Sequence, residues 1–251
     1  MRFGIPITLK SRNGDQKTPI IDIDYNGHLL SLIKLGLSTT NPDLFNRMYK
    51  ERSAKQFATS VYFPNAQFMK DSIVLNQEGQ IKLFFSIHDK ALGLNFYNAF
   101  AYLHIQSNKA LKNQASRPVY DANFNAYFGK PYLIEVPEIK RNEVLFKTQS
   151  PIVVKNKARW NITFDDKDFN DSLIYEIKDK LDNDTLKKDA DDLKFVPVKM
   201  HTVMRKMYHQ DKVITSAGIF KLQGKPELLN YLQEAGLGIK TGSFCGMISA
   251  I

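Results

Sequence analysis

Two stretches of the sequence hold side chains equipped to act on a phosphate ester. The first spans residues 28–55 and offers His28, Lys34, Tyr49, Arg52 and Lys55. RNA cleavage by its own 2′-hydroxyl needs a base for the hydroxyl proton, an acid for the leaving 5′-oxygen and a cation beside the phosphorane. Histidine, with an ordinary pKa of about 6.5, suits proton transfer near neutrality. Tyrosine, at about 10, is a poor base there and a better hydrogen-bonding or acid group. Tyr49 also fits a packed boundary position, four residues after Phe45, and His28 fits a surface position at a helix start.

The second stretch is Gly236–Gly246, GLGIKTGSFCG, with four glycines in eleven residues around Lys240, Thr241 and Ser243. Glycines let a backbone approach a phosphate and present amide donors, while Lys240 adds charge. The loop closes a helix and opens a strand, the reverse of dinucleotide and Walker loops, so a nucleotide site is rejected. Two roles remain open: phosphate contact through Gly236, Gly238, Lys240, Thr241, Gly242 and Ser243, or a helix C-cap at Gly236 followed by a turn.

A basic hairpin precedes this loop. Residues 195–222 carry Lys199, Arg205, Lys206, Lys212 and Lys221, with His201, Tyr208 and His209 interleaved. That pattern suits a nucleic-acid groove, and equally a solvated sheet face. The five histidines and one cysteine supply no convincing metal set, and none is expected. Asp182–Asp192 lacks the glycine and closing glutamate of a calcium loop and reads as a solvated acidic loop. Cys245 reads as a small buried residue. No cofactor is expected.

Composition narrows the partner. Of 251 residues 43% are hydrophobic and 24% charged, values that exclude a wholly disordered chain. The net charge is +9. Residues 165–192 hold eleven carboxylates and five lysines, a net −6, so the rest of the chain carries +15. A polyanion is drawn to that remainder and steered off the acidic segment. The single cysteine excludes an intrachain disulfide. No apolar run reaches the roughly 18–20 residues of a membrane span, and MRFGIPITLK has no signal-peptide h-region. A cytoplasmic, membrane-free protein is expected.

Periodicity supplies the elements that must position these groups. Phe3, Ile5, Ile7 and Leu9 alternate as a strand. In Gly27–Ser38, Leu29, Leu30, Leu32, Ile33 and Leu37 fall on one helical arc, and His28, Ser31, Lys34 and Ser38 on the other. Asn41-Pro42 starts a short helix reaching about Lys50. Phe57–Phe63 is a strand, Ser72–Leu75 and Ile81–Ile87 a strand pair about Glu78-Gly79, and Asp89–His104 a helix. A polar stretch, Ser107–Asn125, leads to a strand at Pro131–Ile139. The second half repeats the order: strands at Val144–Phe146 and Ile152–Val154, a helix at Phe169–Leu181, strands at Val196–Met207 and Val213–Leu222, a helix at Pro226–Ala235 and a strand at Phe244–Ala250. The expected fold is α+β, two tandem ferredoxin-like (RRM-like, βαββαβ) domains over 1–140 and 141–251.

Several segments together resemble the repeat-processing endoribonucleases of CRISPR systems, the Cas-six family of the RAMP superfamily. They are MRFGIPITLK, YNGHLLSLIK (25–34), NPDLFNRMYKE (41–51), KQFATS (55–60), QSPIVV (149–154) and, most specific, GLGIKTGSFCGM (236–247). The resemblance implies two ferredoxin-like folds that bind CRISPR repeat RNA and cut it once per repeat without metal, leaving a 5′-hydroxyl and a cyclic or 3′-phosphate. It further implies a product that stays bound and passes to other subunits of an interference complex. The sequence departs from the pattern in places. Tyr49 stands where many members have a histidine, Lys34 where a first-helix tyrosine is common, and the Gly242–Gly246 order is altered. Lys55 is retained. By this resemblance Lys55, then Lys34, stabilises the phosphorane, while His28 and Tyr49 handle protons. Arg52, Lys199, Arg205, Lys206 and the glycine loop hold the RNA.

Overall fold

Every second residue of β1 (Arg2–Ser11) faces inward, and Phe3, Ile5, Ile7 and Leu9 are buried in the computed structural model. The structure describes residues 1–14, 18–51, 55–112, 118–207 and 211–251. After β1 come β2 (Ile20–Asp22), α1 (Asn26–Thr40), α2 (Pro42–Phe45), β3 (Phe57–Tyr62), β4 (Gln67–Phe68), β5 (Ser72–Val74), β6 (Gln80–Ile87), α3 (Lys90–Leu111), β7 (Phe124–Phe128) and β8 (Tyr132–Ile134). β1 is central, antiparallel to β6 on one side and to β7 and β8 on the other, and β3 flanks β6. Leu29, Ile33 and Leu37 of α1 and Phe96, Phe100 and Leu103 of α3 close one core with the sheet's inner face. Asp89 caps α3 by accepting from the amides of Ala91 and Leu92. Asn41 caps α2 through the Leu44 amide, with Pro42 in the first turn.

The second half contains β9 (Glu143–Thr148), β10 (Val154–Lys155), β11 (Asn161–Ile162), α4 (Phe169–Lys180), α5 (Asp184–Asp191), β12 (Lys194–Met207), β13 (Asp211–Gln223), α6 (Pro226–Ala235) and β14 (Ile248–Ala250). Its sheet runs β12-β13-β9-β14 and the first runs β3-β6-β1-β7. Numbered by their own order, both sheets read second, third, first, fourth strand. Both halves are therefore ferredoxin-like, as the element order predicts. The second core gathers Phe146, Phe220, Leu222, Leu228, Leu229 and Leu232.

Three local expectations change. Ser72–Val74 pairs with β2 and β4 in a separate three-stranded sheet, not with β6, because β6 already has β3 and β1 on its two edges. The strand closing the first ladder includes Phe124–Phe128, which starts inside the stretch read as polar and whose buried Ala126 and Phe128 lie just beyond it, ahead of the strand expected from Pro131. The acidic run beyond Asp182 forms α5, because Asn183 caps it through the amides of Thr185 and Leu186.

Candidate active site at the joint of the two sheets

α6 ends where Gly236 (φ 89°) leaves helical geometry, its amide still donating to the Leu232 carbonyl at 2.9 Å. The chain then folds back on itself. Leu237 N donates to Gly246 O at 2.8 Å, Ile239 N to Val153 O at 2.8 Å and Gly246 N to Pro151 O at 2.8 Å. A Cβ on Gly246 (φ 67°) would sit 2.1 Å from the Leu237 oxygen, so this closure admits only glycine. Phe244, itself left-handed at φ 63°, drives its ring into the first core against Tyr25. Its amide donates to Thr59 Oγ1 at 2.8 Å, and that hydroxyl donates to the Thr241 carbonyl at 3.2 Å. Ser150 Oγ donates to Thr59 O at 3.0 Å and accepts from Met247 N at 2.9 Å. The glycine segment is thus the joint between the two sheets, with its polar groups satisfied where water is excluded.

The candidate catalytic residues lie against the outer side of this joint. After α2 the backbone continues as a π-turn, Asn46–Lys50, which carries Tyr49. Such turns insert one residue into a helix and re-aim a side chain. The Tyr49 ring has Lys34 Nζ at 5.1 Å and Lys55 Nζ at 5.0 Å from its centroid. The ring's π-cloud partly offsets the repulsion between the two ammoniums. Lys55 also donates to the Met48 carbonyl, and burial, aided by Lys34, lowers its pKa below the ordinary lysine value. Behind it, Thr241 Oγ1 donates to the Lys55 carbonyl at 3.3 Å. A Cβ on Gly242 would lie 2.9 Å from the Phe57 ring and 3.2 Å from Lys55 Cγ. The two stretches singled out by composition therefore meet: the glycine loop fixes the backbone from which Lys55 reaches Tyr49.

His28 is not part of this cluster. It precedes Lys34 by six residues, about 9 Å along the helix axis, and its ring packs on Tyr120 at 5.0 Å. What the structure assembles is Lys34, Tyr49 and Lys55: two cations and a phenol, suited to an oxyanion that gains charge.

Residues 134–250 match the family model of the C-terminal part of CRISPR-associated protein Cas6. Over these residues the chain is similar to the C-terminal part of Cas6. Solved structures extend the likeness to the whole fold. A RAMP protein binding different RNA substrates aligns at TM-score 0.78 and 19% identity, covering 100% of this chain and 99% of that one. A Cas6-related protein from Pyrococcus furiosus gives 0.77 at 19% identity, with coverage of 100% and 99%. A Cas6 in complex with its product gives 0.65 at 14% identity, with 100% of both chains covered. At such identities the likeness concerns the fold. No curated protein sequence matches the chain.

Within residues 134–250, several residues expected to hold RNA face inward. Arg205 of β12 donates to Phe244 O at 2.6 Å, Tyr25 Oη at 2.6 Å and Asn26 Oδ1 at 3.1 Å, and lies over the Tyr25 ring. Its guanidinium holds the joint, because three acceptors buried there need a donor. Gly236, Gly238, Thr241 and Gly242 are buried, which puts packing, not phosphate contact, first among the two roles open to them. Lys240 and Ser243 are half-buried and Lys199 is exposed. Lys206 pairs with Asp71. Arg52, Tyr208 and His209 lie outside the described residues. Among the described residues, no group of three or more His, Cys, Asp or Glu side chains is placed to hold a metal ion.

One residue at the glycine loop escaped sequence reasoning. Lys180, one of five lysines in the acidic run, sends its ammonium to the Gly238 carbonyl. Gln56, beside Lys55, donates to Lys180 O at 3.2 Å and Asp182 Oδ2 at 2.7 Å, so the acidic segment braces the joint. Burial lowers the Lys180 pKa from 10.5 to about 8, against the opposing pull of Glu176 and Asp179. The folded protein therefore loses this proton before the unfolded chain does. Between pH 8 and 10.5 the unfolded state binds more protons, and this group's contribution to stability rises with pH. Urea midpoints at about pH 7.5 and about pH 9.5 should show the rise in the wild type relative to Lys180→Met. Parallel pH dependence in the two proteins would show that the ammonium is not desolvated.

Proposed function

We propose that the protein is a Cas6-type endoribonuclease that binds CRISPR repeat RNA and cuts the precursor transcript within each repeat. The 2′-hydroxyl attacks the adjacent phosphate without a metal ion, leaving a 2′,3′-cyclic phosphate and a 5′-hydroxyl. The observation that carries this reading is the cluster of Lys34, Tyr49 and Lys55 packed against the glycine loop of a Cas6 domain. In this reading Lys55 and Lys34 stabilise the phosphorane, and Tyr49, whose hydroxyl is buried, holds the two ammoniums over its ring and donates to a phosphate or leaving oxygen only where bound RNA opens that contact. His28 serves as proton carrier only where the bound RNA reaches the start of α1. We divide the chain into units 1–140 and 141–251, the first holding the catalytic groups. The product stays bound and passes to the subunits of an interference complex.

A second reading, a repeat-RNA-binding protein that does not cut, draws on the lack of an imidazole in the cluster. One assay separates the two. Labelled repeat RNA is mixed with excess protein in EDTA, and cleavage with a cyclic phosphate end is expected. Bound but uncut RNA supports the second reading, and cleavage abolished by EDTA overturns the metal-free mechanism. In the same assay His28→Ala decides that residue's part: a wild-type rate removes it as base.

A further inference from the structure

The chain's single tryptophan, Trp160, is 73% exposed. It stands on the five-residue loop joining β10 to β11, and that loop is ordered by its own hydrogen bonds. Asn156 Oδ1 accepts from Trp160 N at 3.0 Å, Asn156 N donates to Trp160 O at 2.9 Å, and Arg159 N donates to Asn156 O at 2.8 Å. The fold thus spends a defined turn on holding an indole in water, the opposite of what its large apolar surface favours. Three cations, Lys155, Lys157 and Arg159, surround it in sequence. Lys155, Lys157 and their neighbours Asn156 and Ala158 line a cavity of about 300 Å³ whose other wall is α4, with Asp168, Asp171 and Tyr175. Tyr175 is 65% exposed.

Aromatic faces interleaved with cations are what unpaired nucleotides need: bases stack and phosphates meet the charges. The cavity lies at the small end of ligand sites. Its carboxylates repel a phosphate and accept hydrogen bonds from the amino edge of a base. We propose that Trp160 and Tyr175 form a stacking site for unpaired bases of RNA, with Lys155, Lys157 and Arg159 taking the phosphates. None of these residues belongs to the cluster around Tyr49 or to the glycine loop. The site therefore anchors the strand apart from the cutting centre. It rests on the reading of the protein as an RNA binder.

Because no other tryptophan is present, emission excited at the indole edge reports this position alone. The full chain is titrated with a fluorescein-labelled twelve-residue oligoadenylate, following anisotropy and tryptophan emission together. Rising anisotropy with quenched emission is expected. Trp160→Ala should weaken binding roughly tenfold and Trp160→Phe far less, since a phenyl ring keeps a stacking face. Rising anisotropy with unchanged emission, or undiminished affinity in Trp160→Ala, overturns the stacking site. A failure of the oligonucleotide to bind at all also overturns it. Cleavage of repeat RNA in the EDTA assay, with Trp160 unquenched, would leave the nuclease reading standing while this inference fails.

Discussion

Replacing Lys55 with methionine is expected to slow single-turnover cleavage of repeat RNA by about 100- to 1,000-fold, the usual cost of losing one preorganised oxyanion partner. Affinity for the RNA should change only a few-fold. The argument rests on position: the ammonium is half-desolvated, sits 5.0 Å from the Tyr49 ring and is held by the Met48 carbonyl, so little reorganisation is needed when charge develops. Methionine keeps most of the aliphatic stem packed beside Gly242, so the backbone under the site should persist. Rapid-quench kinetics at saturating protein measure the rate, and filter binding measures affinity. A wild-type rate, or a loss of affinity that accounts for the whole effect, would remove Lys55 from the chemistry. Lys34→Met should show a smaller effect in the same direction, because Lys34 does not share the brace that the glycine loop gives Lys55.

Phe244→Ala is expected to be among the most damaging single changes to stability, costing about 3–5 kcal/mol. The ring is fully buried, belongs to the core of the first sheet and comes from a loop of the second half. Its loss leaves a cavity where the two halves meet. For a chain of this length the melting temperature should fall by roughly 10 °C, read by calorimetry or circular dichroism. Cleavage should fall too, since the Thr241–Lys55 contact depends on the same loop. A variant that melts with the wild type would show that the joint is held by hydrogen bonds, chiefly those of Arg205 and Thr59, and not by the apolar plug.

Much of the architecture is legible in the sequence. Alternation in Phe3–Leu9 and Phe57–Phe63, the helical arc of Gly27–Ser38 and the Asn41-Pro42 cap are local signals, and local steric and capping preferences decide them. Ser72–Val74 shows the limit. Its strand character was legible, but its partner was not, because pairing depends on which sheet edges are already taken. The site divides in the same way. The glycine loop stood out by composition and Lys55 by its motif.

Sequence alone therefore determined two βαββαβ units, a basic body with one acidic segment, and a short roster of groups able to act on a phosphate ester. Tertiary structure decided which members of that roster meet. It joined Thr241 to Lys55 across 186 positions, set Tyr49 between two lysines, turned Arg205 inward to the joint and left His28 on Tyr120. Periodicity reports each residue's side of its own helix or strand. Contacts between elements depend on how whole faces pack and which buried polar groups must be satisfied, and no local pattern contains that.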